Sequence, residues 1–565
     1  MKWKILNKKN IEHRTKCIGE EIIKALLANR GLKTKKEIEE FLNPKKPEEL
    51  TPKDVGIDSA QIKKATQRIK KAIKNGEKII VYGDYDTDGI CGTAILWETL
   101  HHLKANVLPF IPLREEGYGL KMERIEKLAQ EGVKLIITVD QGIVAYSQVA
   151  HAQKLGVDVI ITDHHVLGEK KPKALAIIHT VRLCGASVAW FLVRALKKAI
   201  EGEEIKTGLD LVTLATIADM VPLVGPNRSL VKYGLKQLHQ TKRPGLLALF
   251  DFAGFKKENL GVFEISYLIS PRLNAAGRLD DPTDSLRLIC TKDEKRAIAL
   301  AQKIDQQNRE RQNLTEKTMI HARELWLKED SQSHLIFVVH ESYQEGIIGL
   351  VAGKLTEEFY RPAIVVSKGK EFSRGSARSI KEFNILAAIR ACAEMVGAHG
   401  GHQKAAAFTV ETAKIEILKE KLTALTKEGL KNKDLSPTLT IDLELDLEDL
   451  TLAFYKELSC LEPFGEGNPQ PVFATKNVRA VEVRTVGNGN KHLKLRLASG
   501  VPASPEDGSH LTFDVIGFGM GSFYTQLSPD EPLDIAYNLT TDEWNGNKRL
   551  QLKLKDIKMI HGRET

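Results

Sequence analysis

Three stretches of the sequence set acidic residues and histidines where β-branched runs end. Asp84, Asp86 and Asp88 occupy alternate positions between Gly83 and Gly89, directly after Lys78-Ile79-Ile80-Val81-Tyr82. Asp140 follows Leu135-Ile136-Ile137-Thr138-Val139, and Asp163-His164-His165 follow Val159-Ile160-Ile161-Thr162. A fourth acidic site, Asp219, lies in the apolar stretch 214–222, where an unpaired charge would be costly. Carboxylates gathered this way repel unless a divalent cation neutralises them. A mixed carboxylate and imidazole set favours Mn2+, or Mg2+ with waters, over a structural zinc site. Two ions about 3.5–4 Å apart would activate a water and stabilise the leaving oxygen of a phosphoryl displacement. Singly, Asp-x-Asp-x-Asp is equally a calcium loop or a solvated turn, and paired histidines are commonly surface residues. The metal reading rests on their convergence at successive strand ends.

That convergence requires a particular fold. Apolar residues at helical spacing over 60–73 stop at Asn75-Gly76, and strands expected at 78–82, 106–111, 134–139, 157–162 and 174–178 alternate with helices at 91–103, 122–131, 145–155 and 186–199. Alternation of this kind indicates a parallel sheet with right-handed crossovers, whose carboxyl edge is where open α/β folds place their sites. A helical region covers 209–249, and a long polar helix runs over 292–328. Strands at 334–339 and 363–366, separated by a helix with Gly346, Gly349 and Gly353, define a second, smaller α/β domain. After Pro437 period-two strands recur at 438–443, 478–483, 492–497, 511–518, 533–538 and 549–554, which fits a small all-β barrel or sandwich. The expected domains are a basic helical arm (1–60), a parallel-sheet domain (61–291), a connecting helix (292–328), a small α/β domain (329–432) and a barrel (433–565).

The length, 565 residues, accommodates about four domains at roughly 150 residues each. Six cysteines lie far apart with no C-x-x-C pair, so neither a zinc framework nor a disulfide scaffold is indicated. No apolar run reaches the length of a membrane span, and Met1-Lys2-Trp3-Lys4 does not open a secretory signal, which places the chain in the cytoplasm. The net charge is +9, and residues 1–80 hold 21 basic against 11 acidic side chains. A basic arm suits a polyanion through counterion release, although a solvated helix face gives the same count.

Further basic residues lie near the expected sheet edge. Arg114, in Leu113-Arg114-Glu115-Glu116-Gly117-Tyr118-Gly119, and Arg278, after Asn274-Ala275-Ala276-Gly277, suit two-point clamping of a phosphate, the alternative for Arg114 being an ion pair with its neighbouring glutamates. Arg374-Gly375-Ser376-Ala377-Arg378-Ser379 is expected to precede a helix, where hydroxyls and amides could hold an anion or simply cap. Gly397-Ala398-His399-Gly400-Gly401-His402 is expected to form a turn that allows close backbone approach to a phosphate. The barrel offers Lys476, Arg479, Arg484, Lys491, Lys494 and Arg496, while Trp544 and Phe518 read equally well as core.

The ordered motifs resemble those of the DHH phosphoesterases: Gly83-Asp84-Tyr85-Asp86-Thr87-Asp88-Gly89, Val139-Asp140-Gln141-Gly142, Asp163-His164-His165 and Ala218-Asp219. Within that superfamily, Leu27-Ala28-Asn29-Arg30-Gly31, Phe41-Leu42-Asn43-Pro44, Pro271–Leu279, Gly400-Gly401-His402, Pro463–Pro469 and Trp544-Asn545-Gly546 look like the RecJ exonuclease family. The resemblance implies a DHH domain, a DHH-associated domain and an oligonucleotide-binding (OB) barrel. The implied activity is a single-stranded-DNA-specific 5′-to-3′ exonuclease of DNA repair and recombination that releases nucleoside 5′-monophosphates.

The same resemblance implies metal ligands at Asp86, Asp88, Asp140, His164 and Asp219, with Asp140 bridging two ions. Asp84 and His165 would complete or orient the cluster, and His165 would also approach the scissile phosphate. Substrate contacts are implied at Arg114, Asn274, Arg278, Ser376, Arg378, Gly400, Gly401 and His402. A helicase or single-strand-binding protein is an implied partner, and a monomer the implied state. Thr87 stands where alanine or valine is common, and Gln141 where asparagine is usual, a change expected to alter the geometry behind the metals. Ala407 stands where glycine is common. A DHH phosphodiesterase for very short RNA or cyclic dinucleotides is the enzymatic rival, disfavoured by the barrel and the long arm. A non-catalytic scaffold would be expected to have lost ligands that are all present here.

Overall fold

The computed structural model describes residues 1–7, 18–202, 208–330, 332–499, 511–529, 531–544 and 547–560; Cys17, Asn545 and Gly546 lie outside them, and the Trp544 side chain is not described. The chain divides into two compact units. One comprises residues 1–45, 222–232 and 437–565, and the other residues 46–221 and 233–436.

The larger unit contains the expected parallel sheet. Its strands run Val107–Phe110, Lys78–Tyr82, Val133–Val139, Asp158–Asp163, Ala176–His179, all parallel. Ile79, Ile80, Leu135, Ile136, Ile137, Ile160 and Ile161 are buried along it, as strands covered on both faces require. Because the first strand in sequence lies second in space, its carboxyl end sits where the strand order reverses, the position at which such sheets open a crevice. Helix Thr87–His102 leaves that end, its packing dominated by helices Gly185–Glu201 and Leu209–Ala218. Helices Pro244–Ala253 and Ser270–Leu279 follow. The long helix spans Glu294–Asp330, and its buried stripe carries polar side chains that find partners, Asp305 with Arg272 at 3.0 Å and Gln307 with Asp280 at 2.9 Å.

The same unit holds a second sheet, ordered Val396–His402, Ala405–Glu411, Phe372–Arg378, Ala363–Ser367, Ile336–His340; its last two strands are parallel and the other neighbours antiparallel. Two sequence expectations are corrected here. Residues 374–378 do not stand at a helix end but form strand Phe372–Arg378, the next helix, Ile385–Arg390, being capped by Asn384; the strand's alternating burial places Ser376 and Arg378 on one face. Residues 396–402 are likewise a strand, joined to Ala405–Glu411 as a hairpin. Glycine content read as a turn because glycine weakens strands locally, but pairing on the neighbouring strand overrides that preference.

In the smaller unit five strands close a barrel: Phe473–Val486, His492–Ala498, Thr512–Gly517, Asn547–Met559 and Pro532–Trp544, which returns to pair with the first. The arm expected to be helical opens as strand Lys2–Asn7, parallel to Thr438–Glu444; Trp3 and Ile5 alternate with lysines at strand period, and the Trp3 indole donates to Asp556 at 2.8 Å. Arg228, fully buried, donates to the carbonyls of Phe41 at 2.6 Å and Glu462 at 2.7 Å, which fastens the arm to the barrel's flank. Phe518 is 56% exposed, so it is not core. No described helix is long and apolar enough to cross a membrane.

Candidate active site

The acidic turn is built by capping and by close approach. Asp86 is the N-cap of helix Thr87–His102, its Oδ1 accepting from Gly89 N at 3.0 Å. A Cβ on Gly89 would stand 2.6 Å from the Asp84 carbonyl oxygen, so only glycine lets the turn fold back on itself. Thr87, at the position where alanine or valine was the expected residue type, donates its amide at 2.7 Å and its hydroxyl at 2.8 Å to Asn274 Oδ1. Asn274 thus acts on the acidic turn itself, as a support. Asp88 accepts from the amides of Gly185 (2.6 Å) and Ala186 (2.8 Å), at the amino end of helix Gly185–Glu201. Gly185 is required there, since a Cβ would lie 2.6 Å from that of Asp140.

Asp140 adopts φ +60, an unfavourable backbone for a non-glycine residue that swings its carboxylate over the end of its strand. Gln141 is fully buried and donates to the Gly83 carbonyl at 2.5 Å, so its extra methylene spans two strand ends. His164 Nε2 lies 3.0 Å from Asp140 Oδ1 and 3.7 Å from both Asp88 Oδ2 and Asp219 Oδ2. Asp219 ends helix Leu209–Ala218, and Met220 after it has φ +56. Asp140 Oδ1 and Asp84 Oδ1 are buried and make no hydrogen bond.

Electrostatics follow from this crowding. Burial and Asp86 push Asp84 up to about 8; burial and Asp88 push Asp219 up to about 9; Asp140 is driven well above the carboxylate range by burial and by Asp88, Asp86, Asp84 and Asp219. Three groups of side chains can each share a cation: Asp84, Asp86, Asp140; Asp88, His164, Asp219; and Asp140, His164, His165. Unsatisfied carboxylate oxygens in an oxygen-rich set with one or two imidazoles fit hard divalent ions such as Mn2+ and Mg2+.

Two supporting roles escaped the sequence reading. Asp163 is fully buried and accepts from the amides of Ile143, His164 and His165 and from His165 Nδ1 at 2.8 Å. Burial disfavours its charge, but these bonds win and hold its pKa low. The same contact outweighs burial at His165 and raises the imidazole. Its place ahead of the histidine pair was the available signal. Tyr118, whose hydroxyl donates to the Asp140 carbonyl at 3.1 Å and lies 3.3 Å from His165 Nδ1, stands in a loop whose arginine drew attention instead.

Next to the carboxylates lies a cluster of arginines. Arg114 donates to the Gly277 carbonyl at 2.9 Å and covers the Tyr85 ring at 4.5 Å; the neighbouring Glu116 pairs with Arg124 instead. Arg278 donates to the Gly346 carbonyl at 3.0 Å, and burial with Arg114, Arg311 and Arg378 pushes it down to about 10, against the pull of Asp86. Arg311, on the long helix, was not singled out by sequence because polar helix faces are full of arginines. Gly346 and Gly349 let the second sheet approach, since a Cβ on them would meet the Arg278 carbonyl at 2.3 Å and Ser376 Oγ at 2.9 Å. Register sets Gly400 opposite Ala407 and Ala407 opposite Ser376, and likewise His402, Ala405 and Arg378. Gly400, Gly401 and His402 are exposed, and Gly401 at φ +138 has no room for a side chain.

Family models match the chain in three places: DHH family, N-terminal domain, over residues 78–216; DHHA1 domain over 331–428; and RecJ OB domain over 441–556. The chain is 34% identical to the single-stranded-DNA-specific exonuclease RecJ of Bacillus subtilis, over 98% of this chain and 70% of that protein. Its fold is similar to crystal structures of RecJ from Thermus thermophilus in complex with Mn2+ (TM-score 0.82, 29% identity, 99% of this chain and 80% of that one) and with Mg2+ (TM-score 0.76, 28% identity, 99% and 79%).

Proposed function

Since the chain belongs to the RecJ family of single-stranded-DNA-specific exonucleases, we propose that its acidic and arginine clusters bind one DNA end between them. The protein is a metal-dependent nuclease of single-stranded DNA, in the service of DNA repair. The observation that carries the two-cluster reading is the contiguity of carboxylates having unpartnered buried oxygens with arginines having no described carboxylate partner.

Asp86, Asp88, Asp140, His164 and Asp219 would hold Mn2+ or Mg2+, with Asp84 and His165 completing the set. When bound, two such ions supply charge neutralisation, an activated water and stabilisation of the leaving oxygen. Asp140, the carboxylate that belongs to two of the three ligand groups, would be the shared ligand of the two ions. Asp163 and Tyr118 orient His165 toward the scissile phosphate. Arg114, Arg278 and Arg378 with Ser376 clamp the 5′-terminal phosphate, and Gly400, Gly401 and His402 approach the next backbone phosphate. Anchoring the 5′ end fixes polarity. Water oxygen bonds to phosphorus, the bond to O3′ of the first nucleotide breaks, and a nucleoside 5′-monophosphate leaves. A helicase or single-strand-binding protein that supplies the strand, a monomeric state and a cytoplasmic location belong to the same reading.

Digestion of 5′-labelled and 3′-labelled single strands, with a blunt duplex control, in Mn2+ and in EDTA tests it. Immediate mononucleotide release from the 5′ label, with progressive shortening of the 3′-labelled strand in Mn2+ only, is expected. Cleavage of dinucleotides alone would move the protein to the small-substrate branch.

A further inference from the structure

Helix Thr87–His102 carries the acidic turn at its amino end, and its other end borders a cavity that the nuclease reaction does not use. The cavity measures about 1060 Å³. Ten residues separate Asp88 from Glu98, so its floor lies about 15 Å along the helix from the carboxylates. On that floor one guanidinium serves two carboxylates, Arg243 donating to both oxygens of Glu98 at 2.7 and 2.9 Å and to Asp210 at 2.7 Å, so only part of the negative charge is offset there.

The walls supply two kinds of recognition. Trp97 and His101, one helical turn apart, present neighbouring rings with centroids 5.3 Å apart. Lys104, Lys242 and Lys292 are exposed on the rim and make no ion pair among the described residues, unlike Lys197 and His102, which share Glu201 at 3.3 and 3.2 Å. Gly208 and Arg243, the N-caps of helices Leu209–Ala218 and Pro244–Ala253, also line the cavity, so the amino ends of two helices add amide donors and partial positive charge. A cavity with three unpaired cations on its rim, which outnumber the one carboxylate charge Arg243 leaves over, and with an aromatic wall matches a planar ring bearing phosphate.

We propose that this cavity is a second ligand site, separate from the nuclease centre, for a free nucleoside phosphate whose base stacks on Trp97 and whose phosphate meets Lys104, Lys242 and Lys292. The aromatic wall and the enclosing floor favour a small ligand over a continuous strand, which would need an open groove.

Calorimetric titration of the full chain in EDTA with deoxyadenosine 5′-monophosphate, inorganic phosphate and deoxyadenosine tests the site. The wild type should bind the monophosphate more tightly than either fragment. Lys242→Glu with Lys292→Glu, both at exposed positions, should weaken that binding about tenfold or more through loss of charge-assisted bonds, while digestion of single-stranded DNA persists. Trp97→Leu should reduce the monophosphate to the affinity of inorganic phosphate. Unchanged monophosphate binding in the double lysine variant would overturn the proposal. So would inorganic phosphate binding as tightly as the nucleotide, or a double variant that loses long-strand digestion while keeping nucleotide affinity.

Discussion

The carboxylate cluster and the arginine cluster beside it are both concentrations of like charge, but they are assembled in opposite ways. The carboxylates come from one sheet edge and the helix ends packed on it, within residues 84–219, and backbone geometry aims them: a cap at Asp86, a left-handed backbone at Asp140, two helix amides on Asp88. The arginines come from a loop, two helices and a strand of the second sheet, spread over residues 114–378, and close approach of glycines brings them together. The first cluster needs cations and the second needs an anion. Under the proposed function a phosphodiester end with its divalent ions would supply both, so that substrate would neutralise the like charges the fold brings together.

Breaking the acidic half has the largest expected effect. Asp140→Asn should lower cleavage by on the order of 10³-fold, the scale for losing a group that stabilises developing charge. Single-strand binding should remain measurable, and the EDTA-treated variant should melt no lower than the wild type, because one of five crowded carboxylates is gone. Retained cleavage would remove Asp140 from its assigned place. Breaking the basic half comes next: Arg278→Gln should lower kcat/KM on 5′-phosphorylated strands by roughly 100-fold while affecting 5′-hydroxyl strands much less, given about 3 kcal/mol for charge-assisted bonds. Equal loss on both ends would show that Arg278 does not read the terminal phosphate.

The halves should also differ in what stabilises them. Calorimetric melting should rise on adding Mn2+ to metal-free protein, by about 2.7 kcal/mol at 100 times the dissociation constant, and the rise should vanish in Asp140→Asn. Arg311→Ala should cost about tenfold on 5′-phosphorylated strands if the arginine acts by field rather than contact. The smallest effect is expected at Gln141→Asn, which shortens the donor to the Gly83 carbonyl and should cost about 1 kcal/mol of stability with cleavage barely changed. A collapse of activity there would make the strand-end tie a determinant of rate.

Much of this was legible because local rules were obeyed. The parallel strands read directly from β-branched runs, and each candidate ligand sits at a run's end, so alternation of strand and helix fixed their common edge. The second sheet was less legible, since Gly400-Gly401 and 374–378 have compositions that do not read as strands and become strands through pairing, the first with Ala405–Glu411 and the second with both Ala405–Glu411 and Ala363–Ser367. Lys2–Asn7 was misread because lysine density hid a period-two pattern whose partner lies more than 400 residues away.

The sequence by itself determined the donor set, the sheet that gathers it and the family, because ligand chemistry and strand period are properties of residue types and short spacing. Only the tertiary structure decided that Tyr118 joins Asp163 in fixing His165, that Asn274 braces the acidic turn through Thr87, that Gln141 ties two strand ends, and that Arg311 joins the other arginines. Those relations depend on contacts between segments far apart in the chain, and no local spacing encodes which distant side chain will fill a given hydrogen bond.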